Sequence, residues 1–201
     1  MSAAPPVPQG RINLRSVKAL CVDSNAQGLD ILGQMLMGFG VERSIRVQTV
    51  EEARRALQLE AFDLVLSDAN LADESGFSLV SWLRRSRLEP NRYAPAIIIA
   101  GHASMAMIDT ARDSGASFVI SKPTSPAVLM QRILWVAKGG RTFVEAEDFV
   151  GPDRRWKFDG PPAGGRGRRK EDLSVVVGEA KEPNLSQDAI DAVLKPQRVS
   201  L

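Results

Sequence analysis

Cysteine and histidine are nearly absent from this chain, with one residue of each among 201. The single cysteine, Cys21, excludes a disulfide within the chain, and its place in an apolar run indicates a buried, unreactive thiol. His102 is the only histidine, so the imidazole and thiolate ligands of a zinc-type site are also missing. Two classes are therefore excluded: disulfide-stapled scaffolds and proteins with a Cys/His metal centre.

Long apolar runs are absent as well. No stretch approaches the roughly 18 consecutive apolar residues that a membrane-spanning helix needs. The start of the chain is Pro-rich and polar, without the apolar core of a signal peptide. The formal net charge of +2 and the charged fraction of 25% single out neither nucleic acid nor membrane as a partner. The sequence therefore predicts a cytoplasmic protein with no membrane partner.

Short apolar runs alternate with helical patterns five times between residues 16 and 138. The predicted strands cover residues 17–22, 44–47, 62–67, 96–100 and 117–120. Crossovers of this length favour a parallel sheet with helices on both faces. The predicted fold is an α/β domain of flavodoxin-like type, with a doubly wound five-stranded parallel sheet and five helices. Such domains bind ligands at the carboxyl ends of their strands.

The two flanking segments differ in composition from the α/β domain. Residues 1–15 are predicted to be a flexible arm. Residues 139–201 contain Gly-Pro and Gly-Gly steps and few apolar residues, which predicts a largely disordered tail. Within this tail, residues 173–177 are β-prone, and residues 186–194 have the pattern of a short amphipathic helix capped by Ser186. Both are candidate docking peptides that fold on binding; the alternative is a disordered tail with chance apolar residues.

Three charged side chains end apolar runs of the predicted sheet. Asp23 follows the first run, Asp68 the third and Lys122 the fifth. Because the carboxyl ends of parallel strands meet at one edge of a sheet, these side chains are expected to lie together. Two carboxylates and an ammonium are the minimum set for holding a cation and a phosphoryl group on a carboxylate.

The motif fragments also agree with one family. They are Val22-Asp23-Ser24-Asn25, Leu66-Ser67-Asp68, Gly76 and Lys122-Pro123, in this order. Together they resemble the receiver domain of bacterial two-component response regulators, of the single-domain chemotaxis type. The resemblance implies that Asp68 is the phosphoacceptor and that Lys122 pairs with the phosphoryl group. It also implies a Mg²⁺ ion held by Asp23, Asp68 and the backbone carbonyl of Asn70, and a cis peptide bond before Pro123.

General chemistry agrees with these roles. Phosphoryl transfer needs charge neutralisation and in-line positioning more than covalent help from the protein. Mg²⁺ keeps several waters and takes one or two carboxylates. An ammonium beside Asp68 favours the ionised, nucleophilic form of its carboxyl group. Without the matching fragments, Asp23 and Asp68 would be read as ordinary turn or cap residues.

Three positions depart from the family pattern. Ser24 stands where the family has a second acidic residue, which predicts weak Mg²⁺ binding. Ala100 stands where a Thr or Ser hydroxyl contacts the phosphoryl oxygen. Val119 stands at the aromatic switch position, and its neighbour Phe118 is expected on the opposite face of the strand. A switch needs contacts that differ between its two states, so this chain either signals differently or is phosphorylated poorly.

The tail carries a second candidate site. Its members share a basic or aromatic side chain suited to phosphates and stacked bases: Arg154, Arg155, Trp156, Arg166, Arg168 and Arg169. This cluster resembles the arginine-rich extensions of certain alphaproteobacterial chemotaxis-type receivers, some of which bind cyclic di-GMP. The alternative is solubilising charge or a general polyanion contact. No DNA-binding domain is recognisable after the receiver, so sequence-specific DNA binding is not expected.

Two functions follow from these observations. The first is a single-domain response regulator without enzymatic output, which receives a phosphoryl group from a sensor histidine kinase or phosphotransfer protein and acts on a downstream protein target. The alternative is a phosphorylation-degenerate, receiver-like adaptor whose input is a nucleotide or partner bound through the arginine-rich tail. An independent flavodoxin-type enzyme is a third reading, but no convincing phosphate loop follows the first strand.

Overall fold

The sheet and its helices form between residues 14 and 137. The computed structural model describes residues 14–137, 142–153 and 186–194. Five parallel strands lie in the order β2-β1-β3-β4-β5. The strands are β1 (Lys18–Val22), β2 (Arg43–Val47), β3 (Leu64–Asp68), β4 (Ala96–Ala100) and β5 (Phe118–Ser121). The helices are α1 (Ala26–Gly38), α2 (Val50–Leu59), α3 (Gly76–Arg85), α4 (Met105–Ser114) and α5 (Pro126–Ala137), with a 3-10 turn at Asn91–Tyr93. The predicted five-stranded doubly wound fold is confirmed.

Local sequence explains where the helices begin and end. Asn25 caps α1 by accepting hydrogen bonds from the backbone N–H groups of Gln27 and Gly28, and Thr49 caps α2 in the same way. Gly115 ends α4 with a φ of 86°, a left-handed conformation that favours glycine. Asn25 and Thr49 thus begin their helices just after β1 and β2, at the carboxyl edge of the sheet, whereas Gly115 lies before β5 at the opposite edge.

The hydrophobic core surrounds the interior strands β3 and β4. Every residue of β3 and of β4 is buried, as expected for strands that carry helices on both faces. The strand β3 extends one residue beyond its predicted end and includes Asp68. A carboxylate thus ends a fully buried strand at the carboxyl edge of the sheet.

Two further elements lie in the segment predicted to be a tail. A short antiparallel hairpin is formed by β6 (Phe143–Glu145) and β7 (Val150–Pro152). The sequence did not predict this hairpin. The helix α6 (Gln187–Leu194) agrees with the predicted amphipathic segment, and the Ser186 hydroxyl accepts a hydrogen bond from the backbone N–H of Ala189 at 3.3 Å.

The hairpin packs at the amino ends of β4 and β5, away from Asp68. The ring of Phe143 contacts that of Tyr93 edge-to-face at 4.8 Å, and the Arg84 guanidinium lies 5.7 Å from the Phe143 ring. A Cβ added at Gly115 would lie 2.8 Å from the backbone oxygen of Val150. A glycine is therefore required there for its φ and for the close approach of the hairpin.

Within the described residues, no helix is both long enough and apolar enough to cross a membrane. Most of the predicted N-terminal arm, the β-prone run 173–177 and all six residues of the arginine-rich cluster lie outside the described ranges.

Candidate functional site

The three charged side chains at the strand ends meet, as the sequence predicts. Lys122 Nζ donates a hydrogen bond to Asp23 Oδ2 at 2.9 Å and a second one to Asp68 Oδ2. Both carboxylates are nearly buried, with 3% of Asp23 and 8% of Asp68 exposed. The lysine is more open, at 38% side-chain exposure. Solvent and small molecules therefore approach the two carboxylates from the lysine side.

Backbone N–H groups fix the orientation of each carboxylate. Asp23 Oδ1 accepts a hydrogen bond from the backbone N–H of Asn25 at 2.9 Å, and Asp68 Oδ1 accepts one from that of Asn70 at 2.7 Å. Both are the local turns that aspartate forms with the residue two positions later. In each case one oxygen is held by the backbone and the other faces Lys122.

Burial and the carboxylates act in opposite directions on the pKa of Lys122. Partial burial lowers this pKa, but the hydrogen bonds and negative charges of Asp68 and Asp23 together outweigh that effect and raise it above its usual value. The side chain is therefore a permanent cation at neutral pH. It places a fixed positive charge beside the Asp68 carboxylate.

The backbone around Lys122 is held from the neighbouring strand. The Lys122 N–H donates to the carbonyl of Ala100 at 2.7 Å. The Lys122–Pro123 peptide bond is cis, as predicted. The position of the ammonium is thus set by the end of β4 as well as by β5.

Gly76 allows the start of α3 to approach Asp68 closely. A Cβ added at Gly76 would lie 2.0 Å from the backbone oxygen of Asp68 and 2.7 Å from Ser67 Oγ. Its N–H donates to the carbonyl of Ala69 at 3.0 Å. The family motif that includes Gly76 therefore has a steric reason in this chain.

Replacing Gly76 by alanine is expected to displace Asp68, because the new methyl group overlaps with backbone rather than with a flexible side chain. We expect a loss of about 1–3 kcal/mol in the free energy of unfolding, measured by urea denaturation. The control is Gly38→Ala, since a Cβ there meets no described atom within 4 Å. Equal stability of the Gly76→Ala variant and wild type would contradict this account.

The charged residues are compatible with a Mg²⁺ ion. Asp23 and Asp68 each present a carboxylate at the same edge, which is as many as Mg²⁺ usually takes from a protein. Within the described ranges, no group of three or more His, Cys, Asp or Glu side chains is placed to hold a metal ion. Asn70 and Ser75 form an isolated antiparallel β-bridge in the turn after β3. The role of the Asn70 carbonyl as a metal ligand remains a prediction.

The three departures from the family pattern are visible in the structure. Ser24 is exposed beside Asp23. Ala100 is fully buried at the end of β4 and has no hydroxyl group to offer. Val119 is buried, while the Phe118 ring packs edge-to-face on Trp135 of α5 at 5.0 Å. Phe118 thus packs on the α5 side of the sheet.

Replacing Ser24 by aspartate is expected to strengthen Mg²⁺ binding roughly tenfold, because it adds a negative charge next to Asp23 at an exposed position. Isothermal titration calorimetry with MgCl₂ measures the change. The matched control is Ser24→Asn, which has nearly the same shape and no charge. If both variants bind Mg²⁺ like wild type, the loss of the second acid does not explain weak binding.

Sequence reasoning missed a groove beside the charged residues. A cavity of about 510 Å³ lies between α1 and the loop after β5, and it is lined by Asp23 and Lys122 together with the apolar side chains of Ile31, Leu32 and Met35. Ile31 is 48% exposed. The sequence signal for this groove was Ile31, an isoleucine that does not lie on the buried face of α1. Hydrophobic periodicity alone assigns such a position to the ordinary protein surface.

Comparison with known proteins places these features in a family. The model of the response regulator receiver domain matches residues 19–134. The sensor protein GacS of Pseudomonas syringae pv. syringae is 30% identical over 124 residues, which are 61% of this chain and 14% of GacS. The virulence sensor protein BvgS of Bordetella pertussis is 30% identical over 121 residues, which are 59% of this chain and 10% of BvgS. The chain therefore spans only a small part of these curated relatives.

Solved structures agree with this family match. A CheY-like response regulator receiver domain protein from Methanospirillum hungatei JF-1 is 28% identical with a TM-score of 0.55, over 62% of this chain and 96% of that one. The signal receiver domain of a signal transduction histidine kinase from Syntrophus aciditrophicus shares the fold, with a TM-score of 0.56 at 24% identity, over 67% of this chain and 100% of that one. Both likenesses cover the α/β domain.

Proposed function

Because the chain belongs to the response regulator receiver domain family, we propose that it is a single-domain response regulator that accepts a phosphoryl group on Asp68. The observation that carries this proposal is the contact of Lys122 with both Asp23 and Asp68 at the carboxyl edge of the sheet. A nucleophilic carboxylate, a second carboxylate and a fixed cation stand together, and they are the groups that phosphoryl transfer requires.

The transfer itself uses few groups. An oxygen of the Asp68 carboxylate forms a bond to phosphorus while the bond to the donor's leaving group breaks, and the electron pair departs with that group. Lys122 neutralises charge on the phosphoryl oxygens. Asp23 holds the ammonium of Lys122 at 2.9 Å and so positions it. A bound Mg²⁺ ion would supply further positive charge at the same oxygens.

The proposed phosphodonor is a sensor histidine kinase or a phosphotransfer protein, and the proposed output is contact with a downstream protein target. Two relatives of this chain are named as sensor proteins, which supports a donor of that class. The groove beside Asp23 and Lys122 leaves the site open to a protein donor. We place the protein in the cytoplasm, where such donors present their phosphorylated histidine.

Identification of the modified residue tests the proposal. The protein is incubated with Mg²⁺ and a small phosphodonor such as acetyl phosphate, and intact-mass measurement followed by peptide mapping locates any added phosphoryl group. We expect one group, on the peptide that contains Asp68. No adduct even at high Mg²⁺, or an adduct on another residue, would overturn phosphorylation of Asp68 as the input.

The alternative is an adaptor whose input is a nucleotide such as cyclic di-GMP, bound through the arginine-rich tail. Ser24, Ala100 and Val119 support it, because they remove groups that hold Mg²⁺ or respond to the phosphoryl group in the family. Absence of an adduct on Asp68 together with binding of cyclic di-GMP to the full chain would favour this function over the first.

A further inference from the structure

β5 is an edge strand of the sheet, and its outward backbone groups are covered by α6. The strand pairs with β4 on one side. On the other side, the Ser121 N–H donates to Gln187 Oε1 at 3.0 Å, and the Val119 carbonyl accepts from Gln187 Nε2 at 3.4 Å. An open edge of this kind is a template for pairing with another chain.

The Gln187 amide takes the place of a residue in a sixth strand. In a parallel sheet, a residue of the added strand accepts from one N–H and donates to the carbonyl two positions earlier. The primary amide of Gln187 makes both bonds, to Ser121 and Val119. These two partners also fix which amide atom is oxygen and which is nitrogen, because a backbone N–H needs an acceptor and a carbonyl needs a donor.

An apolar contact anchors the same face of α6. Ile190 lies three residues after Gln187, on the same side of the helix, and is fully buried in the hydrophobic core. Ser186 caps the helix ahead of both residues, and Asp188 is exposed between them. The docked face of α6 thus combines one polar contact that matches the strand edge with one apolar anchor.

The covered edge adjoins the proposed phosphorylation site. Gln187 Oε1 also accepts from the Ser121 hydroxyl at 3.2 Å, and Ser121 is the residue before Lys122. The lysine bridges Asp23 and Asp68 through its Nζ. Ser121 thus connects the edge on which α6 is docked to the lysine that bridges the two carboxylates.

We propose that α6 is a built-in ligand of the β5 edge, which blocks strand addition by other chains and, through Ser121, positions Lys122 for phosphoryl transfer to Asp68. The second half rests on the phosphorylation proposed above. Gln187 acts in it as a positioning residue, since it contacts the strand and not the reacting atoms. If docking of α6 stabilises the phosphorylated form, linkage requires that phosphorylation stabilise docking by the same free energy.

Docking within one chain is favoured by the tether. Residues 154–185 join the hairpin to α6 in one chain, so docking is an intramolecular event whose effective concentration is set by the length of the connection and can reach roughly millimolar. A second copy at micromolar concentration cannot compete with that. We therefore assign the contact to the same chain, and exchange of α6 between two chains is an outcome that would contradict the assignment.

Hydrogen exchange of the Ser121 amide, measured by NMR on the full chain without phosphodonor, tests the docking. The informative variant is Gln187→Met, which keeps the length of the side chain and removes its three hydrogen bonds to Ser121 and Val119. We expect the Ser121 amide to exchange about tenfold faster in this variant, because the Gln187 oxygen that accepts its hydrogen bond is lost. Ile190→Ala, which removes the apolar anchor, is expected to act in the same direction.

The matched control is Asp188→Asn, on the exposed face of the same helix, which should leave exchange of Ser121 unchanged. Leu66 in the central strand reports whether the domain stays folded in every variant. Exchange of Ser121 that is the same in Gln187→Met, Ile190→Ala and wild type would overturn the docking. Protection that rises with protein concentration would overturn docking within one chain in favour of exchange between two copies.

Rates of phosphoryl uptake from acetyl phosphate test the second half. We expect uptake on Asp68 to be severalfold slower in Gln187→Met than in wild type and unchanged in Asp188→Asn. Equal rates in Gln187→Met and wild type would overturn the coupling alone. No uptake by wild type would overturn the proposed phosphorylation and the coupling with it, whereas the docking is decided separately by exchange of Ser121.

Discussion

Replacing Asp68 by asparagine is expected to abolish phosphoryl uptake from a small donor. The amide keeps the shape of the side chain but offers no carboxylate oxygen to form the bond to phosphorus. Asp23 remains beside Lys122 in this variant, yet its oxygens are held by the Asn25 N–H and by the lysine. We therefore expect loss of the signal and no transfer of the modification to the second carboxylate. Phosphoryl uptake is measured with radiolabelled acetyl phosphate, after separation of the protein from free label.

The matched control is Asp30→Asn, which removes an exposed carboxylate from α1, where it pairs with Arg46 at 2.9 Å. This variant has the same change in charge and should take up label like wild type. The label should also be lost on treatment with hydroxylamine, because an aspartyl phosphate is an acyl phosphate. Persistent label on Asp68→Asn would show that another residue is the phosphoacceptor.

Replacing Arg84 by methionine is expected to cost about 3–5 kcal/mol of the free energy of unfolding. The side chain is 1% exposed. Its Nε donates to the Gly115 carbonyl at 3.0 Å, and its Nη1 donates to the carbonyls of Arg92 at 2.7 Å and Ala94 at 2.8 Å. Removing the guanidinium leaves these carbonyls without their donor in a place where water is excluded. Urea denaturation followed by circular dichroism measures the loss.

Arg85→Met is the control, because Arg85 is the next residue of α3 and is exposed. Burial lowers the pKa of Arg84 to about 10, so the guanidinium still carries its charge at neutral pH, and the cost of burying it is offset by the three carbonyls and by the Phe143 ring. If Arg84→Met is as stable as Arg85→Met, the guanidinium does not link α3 to the hairpin and to the starts of β4 and β5.

The sheet and the charged edge could be predicted because their signals are local. Alternating apolar runs and helical patterns mark the elements, and Asp23, Asp68 and Lys122 each follow such a run directly. The parallel arrangement then brings them together without further information. The steric reason for Gly76 became visible only with the distance of its Cβ position from the Asp68 backbone.

The contacts that sequence reasoning missed are those between distant segments. Arg84 reads as a charged residue on a helix, and nothing nearby in the chain indicates the carbonyls that surround it. The strands of the hairpin are three residues long, which is too short for an alternating pattern. The Gln187 contact spans 66 residues from Ser121, so the amphipathic pattern of α6 predicted a helix but not its binding site.

The hairpin and α6 lie on either side of the arginine-rich segment in the chain and hold the residues that flank it. The Asp153 N–H donates to the Thr142 carbonyl at 2.7 Å, which fixes the chain before Arg154, and α6 fixes it again after residue 185. The described residues on either side of this segment are therefore both held by contacts. Because each doubling of loop length costs only about 0.6 kcal/mol, a connection between two held ends can change in length with little effect on the docking of α6. Its length is free to vary while its two anchors are not.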